Sequence, residues 1–284
     1  MQTGIRLHDV NTGLAPEAQT MEARAETARA EGFSCVQLAL SKTVNGITFD
    51  DCALTEGLAM YTRRVLAHYG LDIAVLGCYL NLAHPDRSKL REIQSLYYGH
   101  IRAASLMGAG VVGTETGAPN AAYEMDANTH TREALDTFIR GLAPVVECAE
   151  HYGVTVAIEP VWSHIVCDAD RAAQVLSAIG SHNLRIILDP VNLLSPDSID
   201  RREQVICDAM EKLCDKIAVV HLKDYIPTED GLKNAAPGAG EMDYTQVLRF
   251  MKARKPYIQA ILEETTNDNA AACRTSLERI YEAL

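Results

Sequence analysis

The stretch VTVAIEPVWSHIVCDADRAAQVLSAIGSHNLRIILDP, residues 154–190, holds one strand, one helix and a second strand in succession. Residues 154–159 form an apolar, β-branched run that stops at Glu159-Pro160, and residues 184–189 form another that stops at Asp189-Pro190. Between them Asp168 can cap a helix that places Ala172, Val175 and Ile179 on one face. Strands this continuously apolar are covered on both faces, and a helical crossover between them makes them parallel.

The same unit repeats in both directions. Strands are expected at 4–7, 35–40, 72–77, 110–114, 154–159, 184–189, 217–222 and 258–263. Helical patterns fall between them. Residues 16–31 carry Ala18, Met21, Ala25 and Ala28 on one face, with Gly32 as the stop; a second helix, capped by Asp86, carries Leu90, Ile93, Tyr97, Ile101 and Ala104. Others fit 52–69, 129–152, 199–215, 243–254 and 268–283. Eight strand-then-helix units in 284 residues match an α/β fold of the (β/α)₈ TIM-barrel type. An open doubly wound sheet fits less well, because no Gly-x-Gly-x-x-Gly follows the first strand. No composition break or Pro/Gly/Ser linker interrupts the repeat, so residues 1–284 are expected to form a single domain.

Hydrophobic residues make up 48% and charged residues 23%, as in folded globular chains. The 26 Lys and Arg against 38 Asp and Glu give a net charge of −12 without any basic run, which argues against a nucleic-acid partner. No stretch is apolar enough for a membrane span, and Arg6, Asp9, Glu17, Glu22, Arg24 and Glu26 are wrong for a signal peptide; a cytoplasmic location is expected. A homo-oligomer is compatible with this composition. The eight cysteines are scattered without a Cys-x-x-Cys pair, so most are expected to be buried thiols, among them Cys35, Cys78 and Cys148.

The longest loops, 41–51, 115–128, 190–198 and 225–242, all follow strands, which in a barrel brings them to the catalytic face. The last four strands there end in polar residues: Glu159, Asp189, His221 followed by Leu222-Lys223-Asp224, and Glu263 followed by Glu264. A charge at the end of such an apolar run is costly unless a cation or partner compensates it. An ion pair or a turn could account for any one of them. Together, two Glu, one Asp and one His without thiolate suit one divalent ion, Mn²⁺ first, with Mg²⁺, Co²⁺ and Zn²⁺ also open.

Ile158-Glu159-Pro160, Leu188-Asp189-Pro190-Val191-Asn192, His221-Leu222-Lys223-Asp224, Pro237 to Tyr244 (PGAGEMDY) and Leu262-Glu263-Glu264 resemble the motifs of the xylose isomerase-like TIM barrels. The resemblance covers most of the chain. It implies Glu159, Asp189, His221 and Glu263 as metal ligands, with Glu264 the fallback on the last strand, although its side chain would point the other way. It also implies proton transfer next to a sugar carbonyl through a metal-stabilised enediolate. Glu159 and Glu263 would then be the catalytic acid-base pair of an isomerase or epimerase on a small-molecule sugar or polyol.

Four residues are candidates for substrate contact. Lys223 resembles the family's substrate lysine, with neutralisation of nearby carboxylates as its other role. Glu115 could meet sugar hydroxyls or hold its own Gly-bounded loop. Trp162, the only Trp, could stack on a sugar or pack its loop. Asn192 stands where ketose epimerases often carry His and could contact substrate or make an Asx turn. Asp224 is expected as a supporting acceptor of the kind that orients metal-bound imidazoles. His8 and His84 read as structural, and the glycines of 225–242 suggest a lid or phosphate contact, with a plain turn the simpler expectation.

Elimination on an oxo-sugar, as in an inosose dehydratase or a carbon-glycoside lyase, would use the same metal site. A catalytically dead sugar-binding barrel is a further alternative. The endonuclease branch is similar in Tyr79-Leu80-Asn81-Leu82-Ala83-His84-Pro85, but Cys78 after the third strand, and Leu232 and Asn234 in the seventh loop, replace its additional ligands.

Overall fold

The computed structural model describes residues 1–45, 53–229 and 231–284. In chain order the principal elements are β1 Gln2–Arg6, α1 Met21–Ala30, β2 Cys35–Leu38, α2 Leu40–Thr43, α3 Glu56–His68, β3 Asp72–Gly77, α4 Arg87–Met107, β4 Val111–Glu115, α5 Arg132–Tyr152 and β5 Val156–Glu159. They continue with α6 Ala169–Ile179, β6 Leu184–Leu188, α7 Arg202–Leu213, β7 Ile217–Leu222, β8 Asp224–Thr228, β9 Gly231–Ala235, α8 Thr245–Arg254, β10 Gln259–Leu262 and α9 Ala270–Ala283. Eight parallel strands form a closed barrel in the order β1-β10-β7-β6-β5-β4-β3-β2, the expected TIM-barrel fold.

The chain divides into two compact units. One comprises Met1–Leu76, Leu106–Ala109 and Val219–Leu284. In it β2 is buried at every residue and β1 pairs with both β2 and β10. The other comprises Gly77–Ser105 and Gly110–Ala218, where β5 pairs with β4 and β6 and is likewise buried throughout.

Several boundaries are set by caps that the strand pattern does not reveal. The helix expected from residue 16 begins at Met21, because the Thr20 hydroxyl accepts from the Ala23 N–H at 3.3 Å; Pro16–Ala18 form a separate 3₁₀ turn. Thr55 and Thr131 likewise start α3 and α5. Asp86 and Asp168 cap as expected, with Oδ1 accepting from Ser88 N–H at 2.7 Å and from Arg171 N–H at 2.8 Å. The second strand ends at Leu38, and Leu40 opens α2 instead of extending it.

Two corrections concern larger features. Residues 225–242 are not a plain turn or a loose lid: β8 and β9 pair antiparallel, from Asp224 opposite Ala235 to Thr228 opposite Gly231. Among the described cysteines, Cys35, Cys78 and Cys273 are buried, whereas Cys148, Cys167, Cys207 and Cys214 are half-buried, so most are not core thiols. Cys148 follows Glu147 near the outer edge of an amphipathic helix whose buried stripe includes Val145, Val146 and Ala149. Cys52 and part of the expected 41–51 loop lie outside the described residues. No helix among the described residues is long and apolar enough to cross a membrane.

Helix α5 lies against the loop after β3 with no room for a side chain at Gly141. A Cβ there would stand 1.8 Å from the Leu82 carbonyl oxygen, and the Gly141 carbonyl accepts from Gln94 Nε2 at 2.9 Å. Because the obstacle is backbone, Gly141→Ala should displace the helix and lower unfolding free energy by about 1–3 kcal/mol, read from urea denaturation. A variant as stable as the parent would show that this contact does not constrain the fold.

Candidate functional site

In the unit carrying β4, β5 and β6, apolar strands deliver two acids into buried positions: Glu159 is 2% exposed and Asp189 fully buried. Each has polar compensation. Asp189 Oδ1 accepts from the N–H groups of Val191 and Asn192 at 2.9 and 3.1 Å, so the Asx turn belongs to Asp189. Asn192 instead donates from Nδ2 to Glu159 Oε1 at 2.7 Å, and its carbonyl accepts from Trp162 N–H at 2.7 Å. Trp162 is half-buried in a tight turn closed by the Val161 N–H to the Val166 carbonyl.

Glu115 ends β4 directly opposite Glu159 in the β4–β5 register. Its Oε2 accepts from the Tyr123 hydroxyl at 3.4 Å and lies 3.9 Å from His164 Nδ1. The Tyr123 and His164 rings meet edge to face with centroids 5.4 Å apart. Burial holds the His164 imidazole down at about 4, against the opposing pull of Glu159, so it is neutral near pH 7. Burial, together with Glu115 and Glu159, pushes the Tyr123 phenol well up.

In the unit carrying β1, β7 and β10, His221 is fully buried and Glu263 is 7% exposed. Glu263 Oε1 lies 3.3 Å from His221 Nδ1 and 3.9 Å from Arg6 Nη1, and Oε2 lies 3.4 Å from Lys223 Nζ. Burial would raise its carboxyl, but His221, Lys223 and Arg6 outweigh that and hold it low, at about 2. Glu264 has φ +56 and accepts from Arg6 Nη2 at 3.3 Å, so Glu263, not the fallback Glu264, faces His221. Arg6 also donates from Nε to Asp9 Oδ2 at 2.5 Å, and the Asp9 carboxylate lies 3.5 Å from His8 Nε2. Burial holds the His8 imidazole down at about 4, with Asp9 opposing. His84 is structural, its Nδ1 accepting from Asp86 N–H at 3.1 Å.

Asp224 is an acceptor, but for backbone and not for an imidazole. Its Oδ1 takes the N–H groups of Tyr225 and Met242, both at 2.8 Å, and its Oδ2 takes that of Gly238 at 2.9 Å. The segment after β9 passes so close that a Cβ on Gly240 would be 2.0 Å from the Tyr225 carbonyl oxygen. Beside it the Tyr244 hydroxyl donates to the Lys223 carbonyl at 2.9 Å.

Glu159 and Asp189 in the one unit, and His221 and Glu263 in the other, are thus all buried strand-end residues offering carboxylate oxygens and an imidazole nitrogen. Arg6, Asp9, Tyr123 and the position of His164 were not singled out by the sequence reading. The polar residue that ends the first strand, Arg6 after Ile5, was the available signal for one of them.

The chain belongs to the xylose isomerase-like TIM barrel family, which it matches over residues 25–283. It is 25% identical over 166 residues to the probable L-ribulose-5-phosphate 3-epimerase UlaE of Mycoplasma pneumoniae, covering 57% of this chain and 51% of that protein. The chain therefore spans about half the length of the curated relative it matches. A D-tagatose 3-epimerase-like protein superposes with TM-score 0.77 at 17% identity, covering 100% of this chain and 98% of the other. An IOLI protein with a bound zinc atom gives TM-score 0.72 at 15% identity, with 100% and 99% coverage. At these identities the two structures establish likeness of fold.

The Asp224 bonds give a test of the hairpin's attachment. Asp224→Ala removes the acceptor of three N–H groups and should cost about 3 kcal/mol in urea denaturation while increasing protease cleavage within residues 225–242. A change below about 0.5 kcal/mol would mean that the clamp is dispensable.

Proposed function

We propose that this protein is a divalent-metal-dependent isomerase or epimerase that moves a proton next to the carbonyl of a sugar. The observation that carries the reading is the set of buried strand-end donors, Glu159 and Asp189 in one unit and His221 with Glu263 held against it in the other. Its donor chemistry, carboxylate oxygens and imidazole nitrogen without thiolate, fits Mn²⁺, Mg²⁺, Co²⁺ or Zn²⁺. Glu159, Asp189, His221 and Glu263 would hold the ion. When bound, it supplies positive charge where negative charge builds on the substrate's oxygens.

The remaining work falls to the chain's own side chains. Glu159 and Glu263 end strands three places apart in the barrel order, β5 and β10, which favours two carboxylates reaching a substrate from different directions. One takes the proton from the carbon beside the carbonyl and the other returns it, giving epimerisation; one base working alone on one face gives aldose–ketose isomerisation. Asn192 fixes Glu159 by donating from Nδ2 to Oε1. His221, Lys223 and Arg6 keep Glu263 ionised against its burial. Lys223 is also placed to hold a substrate oxygen beside Glu263. The epimerase name of the curated relative agrees with this reading.

Exchange of the substrate's C–H with solvent deuterium, measured by NMR over a panel of ketoses, tests the proposal. Glu159→Gln and Glu263→Gln should each slow exchange by about 10²-fold or more with the circular dichroism of the parent. Stripping divalent ions should abolish exchange and Mn²⁺ should restore it. Full exchange in either variant, or in the stripped protein, would defeat the mechanism.

A further inference from the structure

The guanidinium at the end of β1 has more to do than offset the charge of Glu263. Strands β1 and β10 lie side by side with Ile5 opposite Leu262, so the residues that follow, Arg6 and Glu263, are neighbours. Glu264 comes next in the chain, and in an extended strand it would point to the other side. Its φ of +56 breaks that alternation, and among the described non-glycine residues only Tyr123 shares a positive value. A side chain in this left-handed region is strained unless its surroundings hold it there. The contact made by Glu264 is with Arg6, whose Nη2 donates to Glu264 Oε1 at 3.3 Å. Asp9, in the 3₁₀ turn after β1, takes Nε at 2.5 Å. Two carboxylates thus fix the plane of one guanidinium, and two consecutive acids face it together.

The remaining nitrogen is left for a ligand. Arg6 Nη1 makes no hydrogen bond among the described residues, and the acceptor it faces, Glu263 Oε1, is 3.9 Å away. That gap is too long for a hydrogen bond, and an oxygen about 2.8 Å from each atom bridges it. The two partners define the bridging group. A guanidinium N–H only donates and an ionised carboxylate only accepts, so the oxygen has to accept from one and donate to the other. A hydroxyl does both, whereas a carbonyl or ether oxygen has no proton to give Glu263. Oε1 also lies 3.3 Å from His221 Nδ1, and Oε2 lies 3.4 Å from Lys223 Nζ; a carboxylate with about four lone-pair sites accepts a further bond beside these. The Arg6 side chain is 22% exposed and that of Glu263 9%, so solvent reaches the pair chiefly at Arg6.

We propose that Arg6 Nη1 and Glu263 Oε1 together read one hydroxyl of the substrate, with Asp9 and Glu264 as positioning residues that hold the guanidinium for it. The proposal rests on the isomerase or epimerase reading for the ligand being a sugar, and it adds the contact that sets that sugar against Glu263.

Deleting the hydroxyl and deleting the guanidinium in one cycle tests this. Binding of D-fructose, D-tagatose and L-ribulose to the Mn²⁺-loaded full chain is measured by calorimetry, followed by the monodeoxy analogues of each sugar that binds. At least one deoxy analogue should bind about tenfold or more weakly than its parent sugar. Arg6→Met keeps the length of the side chain without its donors, so it should weaken the parent sugar and narrow that ratio by about threefold or more, with the ratios at other positions unmoved. A merely structural role for Arg6 would weaken all the ligands alike and leave every ratio in place. Glu264→Gly, at a backbone position that suits glycine, removes one arm of the clamp and should narrow the same ratio with the circular dichroism of the parent; it decides the matter where Arg6→Met does not fold. Ratios unmoved in the folded variants, or no binding of any of the three sugars, overturn the inference. An Arg6-dependent ratio without C–H exchange leaves it standing and defeats the proposed function; C–H exchange with ratios indifferent to Arg6 and Glu264 does the reverse.

Discussion

Carboxylates at the ends of apolar parallel strands must be compensated where they stand, because a buried charge without a partner costs more than the strand's burial contributes. This chain meets the constraint three ways. Glu159 receives a side-chain amide from Asn192, Asp189 receives two backbone N–H groups from the turn that follows it, and Glu263 receives the positive charge of Lys223 and Arg6 beside His221. The compensation differs in kind: dipoles at the first two, full charges at the third. The third is paired with cations of the chain itself.

The loops inherit their shapes from the same requirement. The Asx turn at Asp189 delivers Asn192 to Glu159, and the Asn192 carbonyl then fixes the Trp162 backbone. Thr116 Oγ1 accepts from Val166 N–H at 3.0 Å, and the Gly117 carbonyl accepts from Ile165 N–H at 2.9 Å, so the loops after β4 and β5 are sewn together. Asn81, part of the motif similar to the endonuclease branch, serves this arrangement as a pin for the β4 loop.

The barrel was legible because parallel strands buried on both faces must read as apolar runs, and the runs of β5, β6, β7 and β10 end at or run into polar residues. Glu159, Asp189, His221 and Glu263 stood out for that reason alone. Helix starts were less legible: Thr20 and Thr55 cap through hydroxyls that composition does not distinguish from other surface threonines. The β8–β9 hairpin carries Pro227 and a burial pattern that does not alternate, so it shows no strand period to read. Its base is fastened by Asp224, which gathers N–H groups from as far as Met242. Tyr123 was hidden for a related reason, since a left-handed backbone held by Asn120 and Asn81 follows from tertiary bonds and not from the residue type.

The root of that hairpin, fastened by one carboxylate next to Lys223, has a consequence for how such a barrel can diversify. All three N–H groups bound by Asp224 belong to the base of the excursion, and at the outer end Thr228 pairs with Gly231 and its Oγ1 donates to the Gly231 carbonyl at 3.0 Å. Insertions at the tip leave the base in register, so this arm can be lengthened, shortened or exchanged between barrels without moving the lysine that follows the seventh strand. In effect the fold carries a socket beside Lys223 into which different arms can be plugged.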